Sequence, residues 1–371
     1  MEKIKQRSDS RILLLANYKP DGQFSMQRYA ELLKTGLEEA GALVHVWYPP
    51  AVLTRFISSG NRGFKWVAYI DKFVLGAFAL LVVQLSWKRV HICDHSNAMY
   101  RFILRGRRVT VTCHDVIAVE AARGSGSWTV KRSGQILQSL ILAGLRRCHA
   151  VVCVSNYTRE HLFALGGLDI DRLQLAYNPV DPSLIDARPE DTTPLWAGLK
   201  EHLGGEYVLH VGSDHPRKNR MGVVKIFCAL SKHPGFEWCK LLLVGPDLNA
   251  LQREVLSEAG LLDRVVATGL PAEADLAAAY RGARCLLFPS YIEGFGWPIA
   301  EAQALGCPVF TTAAEPMNEV GGDGACFIEP DQHEEAAAII AITNLKVLSQ
   351  AGYRVVKRFS LSGLAMKVMV A

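Results

Sequence analysis

The sequence predicts an α/β protein of two Rossmann-like domains, each a doubly wound parallel sheet, facing one another across a cleft. Three observations carry this reading. Short apolar runs alternate with longer helical patterns along the whole chain, the signature of βαβ units. The runs end in turns rich in glycine, proline and polar residues, where open α/β sheets bind ligands. With 371 residues, 50% of them hydrophobic, the chain suits two cores better than one, so domains over 1–185 and 186–371 are expected. No repeat of solenoid period is present, although the two halves are built alike.

Composition narrows the function. The nine cysteines are scattered and form no C-x-x-C pair, which favours reduced thiols and a cytoplasmic protein. Met1 to Ser10 is short and polar, so no secretory signal is expected. The longest uncharged apolar run, Phe73 to Val83, is too short to span a bilayer. Charge is uneven. Of 41 Lys/Arg and 36 Asp/Glu, residues 1–185 hold 24 and 14, leaving 17 and 22 for the rest. A basic first half suits an anionic surface or substrate.

Arg11 to Ala16 reads as the first strand. A loop with Asp21 and Gly22 follows, then a helix over Met26 to Glu39. Leu43 to Tyr48 is the second strand. Arg55 to Trp87 is long, aromatic and basic, with an apolar centre. It reads either as a helix lying in a membrane interface or as a core helix on the sheet, and periodicity does not separate the two.

The strands near Val90 and Val109 end in Cys93-Asp94-His95 and Cys113-His114-Asp115. These are potential metal ligands, but neighbours on a strand point to opposite faces, so no metal site is expected. Polar strand ends line clefts, which marks His114 as a cleft hydrogen-bonder. A helix over about Ser127 to Arg147 precedes a strand over His149 to Val154, and Ser155 starts another helix as a cap. Asp169-Ile-Asp171 matches a D-x-D metal motif only superficially, because it sits in a short polar turn. Asn178-Pro-Val-Asp181 ends the first half, and residues 184–205 read as the connection between domains.

In the second half, Tyr207 to Gly212 is a strand, and Arg217-Lys218-Asn219 is expected to open a helix running to about Lys232. Two cations in a first helical turn oppose the helix dipole, whereas a bound diphosphate would give them a partner. The strand Lys240 to Gly245 ends at Gly245-Pro246, and the strand Arg264 to Thr268 ends at Gly269-Leu270-Pro271.

The stretch Cys285 to Pro308 reads as strand, loop, helix and stop. Gly294 and Gly296 loosen the loop, Pro298 suits a first helical turn, and Gly306 with Pro308 ends the helix. Glu293 and Glu301 flank the turn, and helical side chains tilt toward the N-terminus, so both are expected to face one mouth. Ionised carboxylates only accept hydrogen bonds, which suits paired sugar hydroxyls. The alternative is a dipole-complementing Glu301 and a solvated Glu293. Strands over Pro308 to Thr312 and Ala325 to Ile328, with the turn Asn318 to Asp323 between them, precede a helix from near Asp331. A last amphipathic helix covers Leu361 to Val370.

Gly212-Ser-Asp-His-Pro-Arg217-Lys218-Asn219, the segment from Glu293 to Glu301, and Asn318-Glu-Val-Gly-Gly-Asp together resemble the group 1 (family 4) retaining glycosyltransferases of GT-B fold. His114-Asp115, Ser155-Asn-Tyr-Thr and Asn178-Pro-Val-Asp are similar to landmarks of that family's first domain. The resemblance implies that Arg217 and Lys218 neutralise a departing nucleoside diphosphate and that Glu301 holds the ribose. It implies that Glu293, with Gly294, Phe295 and Gly296, grips the transferred sugar, and that Gly212, Gly245, Gly269 and Leu270 line the donor. His114, and the loop of Asp21 and Gly22, would face sugar and acceptor.

It further implies no metal, no cofactor beyond the donor substrate, no dedicated side-chain base, and a last helix crossing back to the first domain. Two departures stand out: a single Gly22 where many relatives have two glycines, and Trp297 where leucine is common. The expected activity is transfer of a mannose- or glucose-type hexose from a nucleotide-diphosphate sugar to a growing glycan, free or lipid-linked, with retained configuration. The protein would be cytoplasmic or peripheral at the inner membrane face, with no nucleic-acid partner. The alternatives are a nucleotide-sugar epimerase of the same architecture and a non-catalytic nucleotide-sugar-binding subunit.

Overall fold

A computed structural model describes residues 11–58, 60–61, 63–124 and 130–371. Met1 to Ser10, and the expected helix start at Ser127, lie outside the described residues. The chain divides into two compact units, Met1–Pro179 with Ser360–Ala371, and Val180–Phe359.

The first unit runs β1 (Arg11–Leu15), α1 (Phe24–Glu39), β2 (Leu43–Trp47), α2 (Phe64–Ile70), α3 (Gly76–Val83), β3 (Arg89–Ile92), β4 (Arg108–Cys113), α4 (Ile117–Ala122), α5 (Arg132–Leu145), β5 (Ala150–Cys153), α6 (Asn156–Ala164) and β6 (Leu173–Leu175). All pairings are parallel, in the order β2-β1-β3-β4-β5-β6. Ile12 stands opposite both Val44 and Arg89. The central strands are buried on both faces. Helices cover both sides of a parallel sheet, which is why these strands read as unbroken apolar runs. Strand order reverses between β1 and β3, so the loops after them diverge and leave a crevice.

The second unit runs α7 (Pro182–Asp186), α8 (Pro194–Leu203), β7 (Tyr207–Val211), α9 (Arg220–Leu230), β8 (Lys240–Val244), α10 (Ala250–Glu258), β9 (Val265–Ala267), α11 (Glu273–Gly282), β10 (Cys285–Phe288), α12 (Trp297–Ala304), β11 (Val309–Thr311), α13 (Met317–Gly321), β12 (Ala325–Phe327), α14 (His333–Ile342) and α15 (Leu345–Val355). Its parallel sheet has the order β12-β11-β10-β7-β8-β9. Here the reversal falls between β7 and β10. Val208, Leu241, Leu243, Cys285, Leu287 and Phe310 form the centre of its core.

One expectation needs correction. Residues 184–205 are not the connection between the units but part of the second one. Thr193 caps α8 by accepting from the Trp196 N–H, Pro194 opens the helix, and Gly204 ends it at φ 63°. Asp275 of α11 accepts from both the Thr193 N–H and its hydroxyl, at 2.8 and 2.7 Å, tying this stretch into the second unit. Capping signals at both ends outweighed the local richness in proline and glycine. The segment after β2, for which an interfacial and a core helix were both open, packs one side on the unit. Through α2, a π turn over Asp71–Leu75 and α3, it buries Ala68, Asp71, Gly76 and Leu80, and leaves its other side exposed.

The last helix, α16 (Leu361–Val370), belongs to the first unit and packs on α1. A Cβ at Gly36 would stand 2.8 Å from the Leu361 Cγ and 3.2 Å from the Ala365 Cβ, so the glycine lets the two helices meet. Arg108 fastens the far end, donating to the Ala371 carbonyl at 2.7 Å. Gly36→Val is expected to overpack this contact and cost about 1–3 kcal/mol. Denaturant melts of the two proteins would show it as a lower midpoint at unchanged m-value.

Candidate functional site

The strongest constellation stands at the strand reversal of the second unit. β7 ends at Val211, and Gly212 leads into a 3-10 turn over Pro216–Lys218. Arg217 and Lys218 therefore precede α9 and do not form its first turn, contrary to expectation. The reason is local. Asn219 adopts φ 49°, a left-handed conformation that asparagine tolerates, and its Oδ1 caps α9 by accepting from the Gly222 N–H at 3.0 Å. The cations escape the dipole penalty and are turned toward the neighbouring loop.

That loop follows β10 and carries Glu293. Arg217 Nη1 donates to Glu293 Oε2 at 2.5 Å, and Lys218 Nζ stands 2.6 Å from Oε1. The backbones are joined as well, through Tyr291 N–H to the Arg217 carbonyl at 2.8 Å. Glu293 is 4% exposed. Burial alone would raise its pKa, but Lys218 and Arg217 outweigh burial and hold it below the ordinary value. Burial dominates at Lys218 and draws its pKa down even with Glu293 beside it. One carboxylate faces two cations, so the cluster keeps a positive surplus for an anion.

Below it, glycines bring backbones close. The Gly212 N–H donates to the Val244 carbonyl at 2.9 Å. A Cβ at Gly245 would lie 2.1 Å from the Gly212 carbonyl oxygen, and its φ of 147° is open to glycine alone. Gly245 also bridges Gly269, while Leu270 beyond it is largely exposed. Thus Gly212, Gly245 and Gly269 follow three adjacent strands.

Gly296 caps α12 at φ 93°, and Glu301 sits one turn into that helix, buried, accepting from the Tyr280 hydroxyl at 2.8 Å. The Phe295 ring is buried edge-on against Phe359, 5.4 Å between centroids, and is a packing element. Gly294 lies between Glu293 and that ring.

Several residues of this region were not foreseen. Tyr280, on α11, orients Glu301. His210 is buried under the crevice, donates from Nδ1 to the Leu287 carbonyl at 3.0 Å and leaves Nε2 unpartnered; burial lowers its pKa to about 4. Ser290 is buried with an unpartnered hydroxyl. Arg220 pins the loop after β8 by donating to the Pro246 carbonyl. The one sequence signal was a polar residue inside an apolar strand, as His210 is within Tyr207–Val211.

The first unit holds its own polar cluster at the β1/β3 reversal. His114, after β4, lies 2.9 Å by Nε2 from the Cys93 carbonyl, so that nitrogen carries the proton. Its Nδ1 is then an acceptor, buried and without a partner. Burial lowers the His114 pKa and keeps the ring neutral. Beside it, Asn17 donates to Asp94 at 2.6 Å and accepts from Asn97 at 3.1 Å, while Asp94 pairs with His95. Asn17 and Asn97 were missed because their partners are remote in sequence. Asp21 forms an ion pair with Lys72 at 2.6 Å, and Gly22, at φ 66°, closes the preceding 3-10 turn. Among the described residues no group of three or more His, Cys, Asp or Glu is arranged to hold a metal ion.

Comparison with known proteins follows the same two units. A family model described as "Glycosyltransferase Family 4" matches residues 26–184, and one described as "Glycosyl transferases group 1" matches residues 205–344. The chain is 25% identical over 243 residues to O-antigen chain mannosyltransferase B of Escherichia coli, covering 64% of this chain and 61% of that protein. It is 32% identical over 236 residues to D-inositol 3-phosphate glycosyltransferase of Nocardia farcinica, covering 61% and 50%. It thus aligns with only about half to three-fifths of these curated relatives' lengths. In fold it is similar to HepE of Anabaena in complex with UDP and glucose, with TM-score 0.70, 18% identity, and coverage of 96% and 98%. Sucrose-phosphate synthase of Thermosynechococcus elongatus gives 0.71, 20%, and 96% of each chain.

Two outcomes are expected. Gly245→Ala should cost at least about 1–3 kcal/mol from backbone strain alone, read as a lower melting temperature. Glu293→Gln removes the charge that pairs with the half-buried Lys218 and Arg217 and should destabilise at neutral pH by about 1–3 kcal/mol. Because the folded pKa of Glu293 is depressed, its contribution is complete above the ordinary value of 4.5 and is lost as pH falls through the folded value. Melting temperatures of wild type and variant, taken across pH, should therefore converge only on the acid side.

Proposed function

We propose that this chain, which belongs to the group 1, family 4 glycosyltransferases, moves a hexose from a nucleotide-diphosphate sugar to a hydroxyl of a growing glycan, free or lipid-linked, with retention of anomeric configuration. The observation that carries the reading is the pair of cations from one βα turn held on a carboxylate from the adjacent turn, at the strand reversal. A relative named as an O-antigen chain mannosyltransferase supports a hexosyl donor, and one named as D-inositol 3-phosphate glycosyltransferase supports glycosyl transfer. A structural neighbour holding UDP and glucose supports the nucleotide-diphosphate class.

In the proposed reaction the bond between the sugar's anomeric carbon and the diphosphate breaks as the acceptor oxygen bonds to the same face. The acceptor proton passes to an oxygen of the departing diphosphate. Arg217 and Lys218 stabilise the charge that develops on the leaving group, where fixed cations in a part-buried site act most strongly. Glu293 holds both cations in place before the donor arrives and accepts from sugar hydroxyls afterwards. Glu301, oriented by Tyr280, accepts from the ribose hydroxyls. Gly212 and Gly245 let the backbone approach the diphosphate, and Gly269 with Leu270 flanks the base. In the first unit, His114 offers a neutral acceptor nitrogen to a sugar hydroxyl, and the loop of Asp21 and Gly22 serves the acceptor. No metal ion takes part, so EDTA should leave turnover within about twofold of its untreated rate, well short of the several kcal/mol a catalytic metal contributes.

The decisive experiment is Lys218→Ala assayed with a panel of nucleotide sugars. Turnover should fall by about 10²–10³-fold, mainly in kcat, because the charge it meets develops in the transition state. Near-normal turnover would remove Lys218 from the site. Release of an isomerised sugar nucleotide in the absence of acceptor would replace transfer with epimerisation.

A further inference from the structure

The helical segment from Phe64 to Ser86 has its polarity reversed relative to a helix on a soluble protein. Its inner side carries Ala68, Asp71, Gly76, Leu80 and Gln84. Asp71 is fully buried there and accepts from the Tyr18 hydroxyl at 2.7 Å and from the Leu53 and Thr54 N–H groups at 3.0 Å. Gln84 donates to the Ile103 carbonyl at 3.3 Å. The outer side carries Trp66, Ile70, Val74, Phe78, Val82 and Leu85, each between 43% and 70% exposed. Water-facing helices of soluble domains carry charges at such positions.

Backbone geometry maintains this row. A four-residue step overshoots a 3.6-residue turn, so a straight α-helix would wind the row around its axis. The π turn over Asp71–Leu75 takes up the excess and keeps the apolar side continuous across α2 and α3. The surface also extends beyond this segment. Ile136 and Leu140 are exposed on α5, and a groove of about 730 Å³ lies between α2 and α5, walled by Trp66, Phe73 and Leu137, with Lys65 and Lys131 at its edge.

Charge indicates the occupant. Asp71, which is buried, is the only Asp or Glu from Phe64 to Trp87, and none occurs from Ala121 to Arg159. Lys65, Lys131 and Arg132 are exposed around the apolar face. An apolar stripe with aromatic residues, fringed by cations and lacking exposed acids, complements the boundary between headgroups and acyl chains of an anionic bilayer. The segment's 23 residues are long enough to span a membrane. Its inner side, however, is bonded to Tyr18, Leu53, Thr54 and Ile103, so it lies along the surface.

We propose that the first unit docks on anionic lipid bilayers through this face, with Trp66, Val74 and Phe78 inserted among acyl chains and Lys65, Lys131 and Arg132 among headgroups. The proposal is independent of the donor chemistry, and its test needs no turnover. The full chain would be sedimented with vesicles of phosphatidylcholine plus phosphatidylglycerol, and with phosphatidylcholine alone. Binding is expected to the mixed vesicles and to weaken as salt rises. The double variant Val74→Glu/Phe78→Glu, whose positions are exposed, should bind at least about tenfold more weakly at an unchanged melting temperature. Brominated lipid should quench tryptophan fluorescence in wild type and much less in Trp66→Phe.

Equal sedimentation with and without mixed vesicles would overturn the proposal, as would full binding by the charged variant. So would a lipid-free dimer that Phe78→Glu dissociates, which would assign the face to a second copy of the chain.

Discussion

One carboxylate shared by two cations organises the second unit. Glu293 comes from the loop after β10, and Arg217 and Lys218 come from the turn after β7. These turns are far apart in the chain and adjacent in space because the sheet reverses its strand order between those two strands. Loops at such a reversal leave in opposite directions and open a crevice. A buried carboxylate without partners would neutralise itself, and two unpaired cations would repel. Together they form a stable cluster with one positive charge in surplus. In the proposed reaction that surplus faces the departing diphosphate.

The surrounding backbone is shaped for close approach. Gly245 has no room for a side chain against the Gly212 carbonyl, and Asn219 uses a left-handed conformation to separate the cationic turn from α9. The first unit repeats the principle with different chemistry. At its own reversal, Asn17 donates to Asp94 and accepts from Asn97, while the Asn97 Oδ1 and the His114 Nδ1 stay buried without a partner. A neutral imidazole with its other nitrogen fixed on a backbone carbonyl has a defined tautomer and a defined direction of hydrogen bonding. Both units thus place unsaturated polar capacity at the carboxyl ends of their central strands.

Much of this was legible in the chain itself. Runs such as Arg11 to Leu15 and Lys240 to Val244 are too short and too uniformly apolar for anything but strands buried on both faces. The spacing of Gly294, Gly296 and Pro298 announced a loop entering a helix. Other features were hidden. The Tyr280–Glu301 bond joins two helices and has no local signature. Arg217 and Lys218 are expected in the first turn of a helix, and only the left-handed conformation of Asn219 sets them in a separate turn before it. The stretch 184–205 looked like a linker by composition, although Thr193, Pro194 and Gly204 carried the caps of a helix.

By itself the sequence determined the alternation of strands and helices and the residue types available at each strand end, because these follow from local periodicity and backbone preference. Only the tertiary structure decided which turns stand side by side, that Glu293 meets both cations, and that the helix after β2 turns its polar side inward. Those outcomes depend on strand order and on contacts between residues remote in the chain. Local patterns hold no record of either.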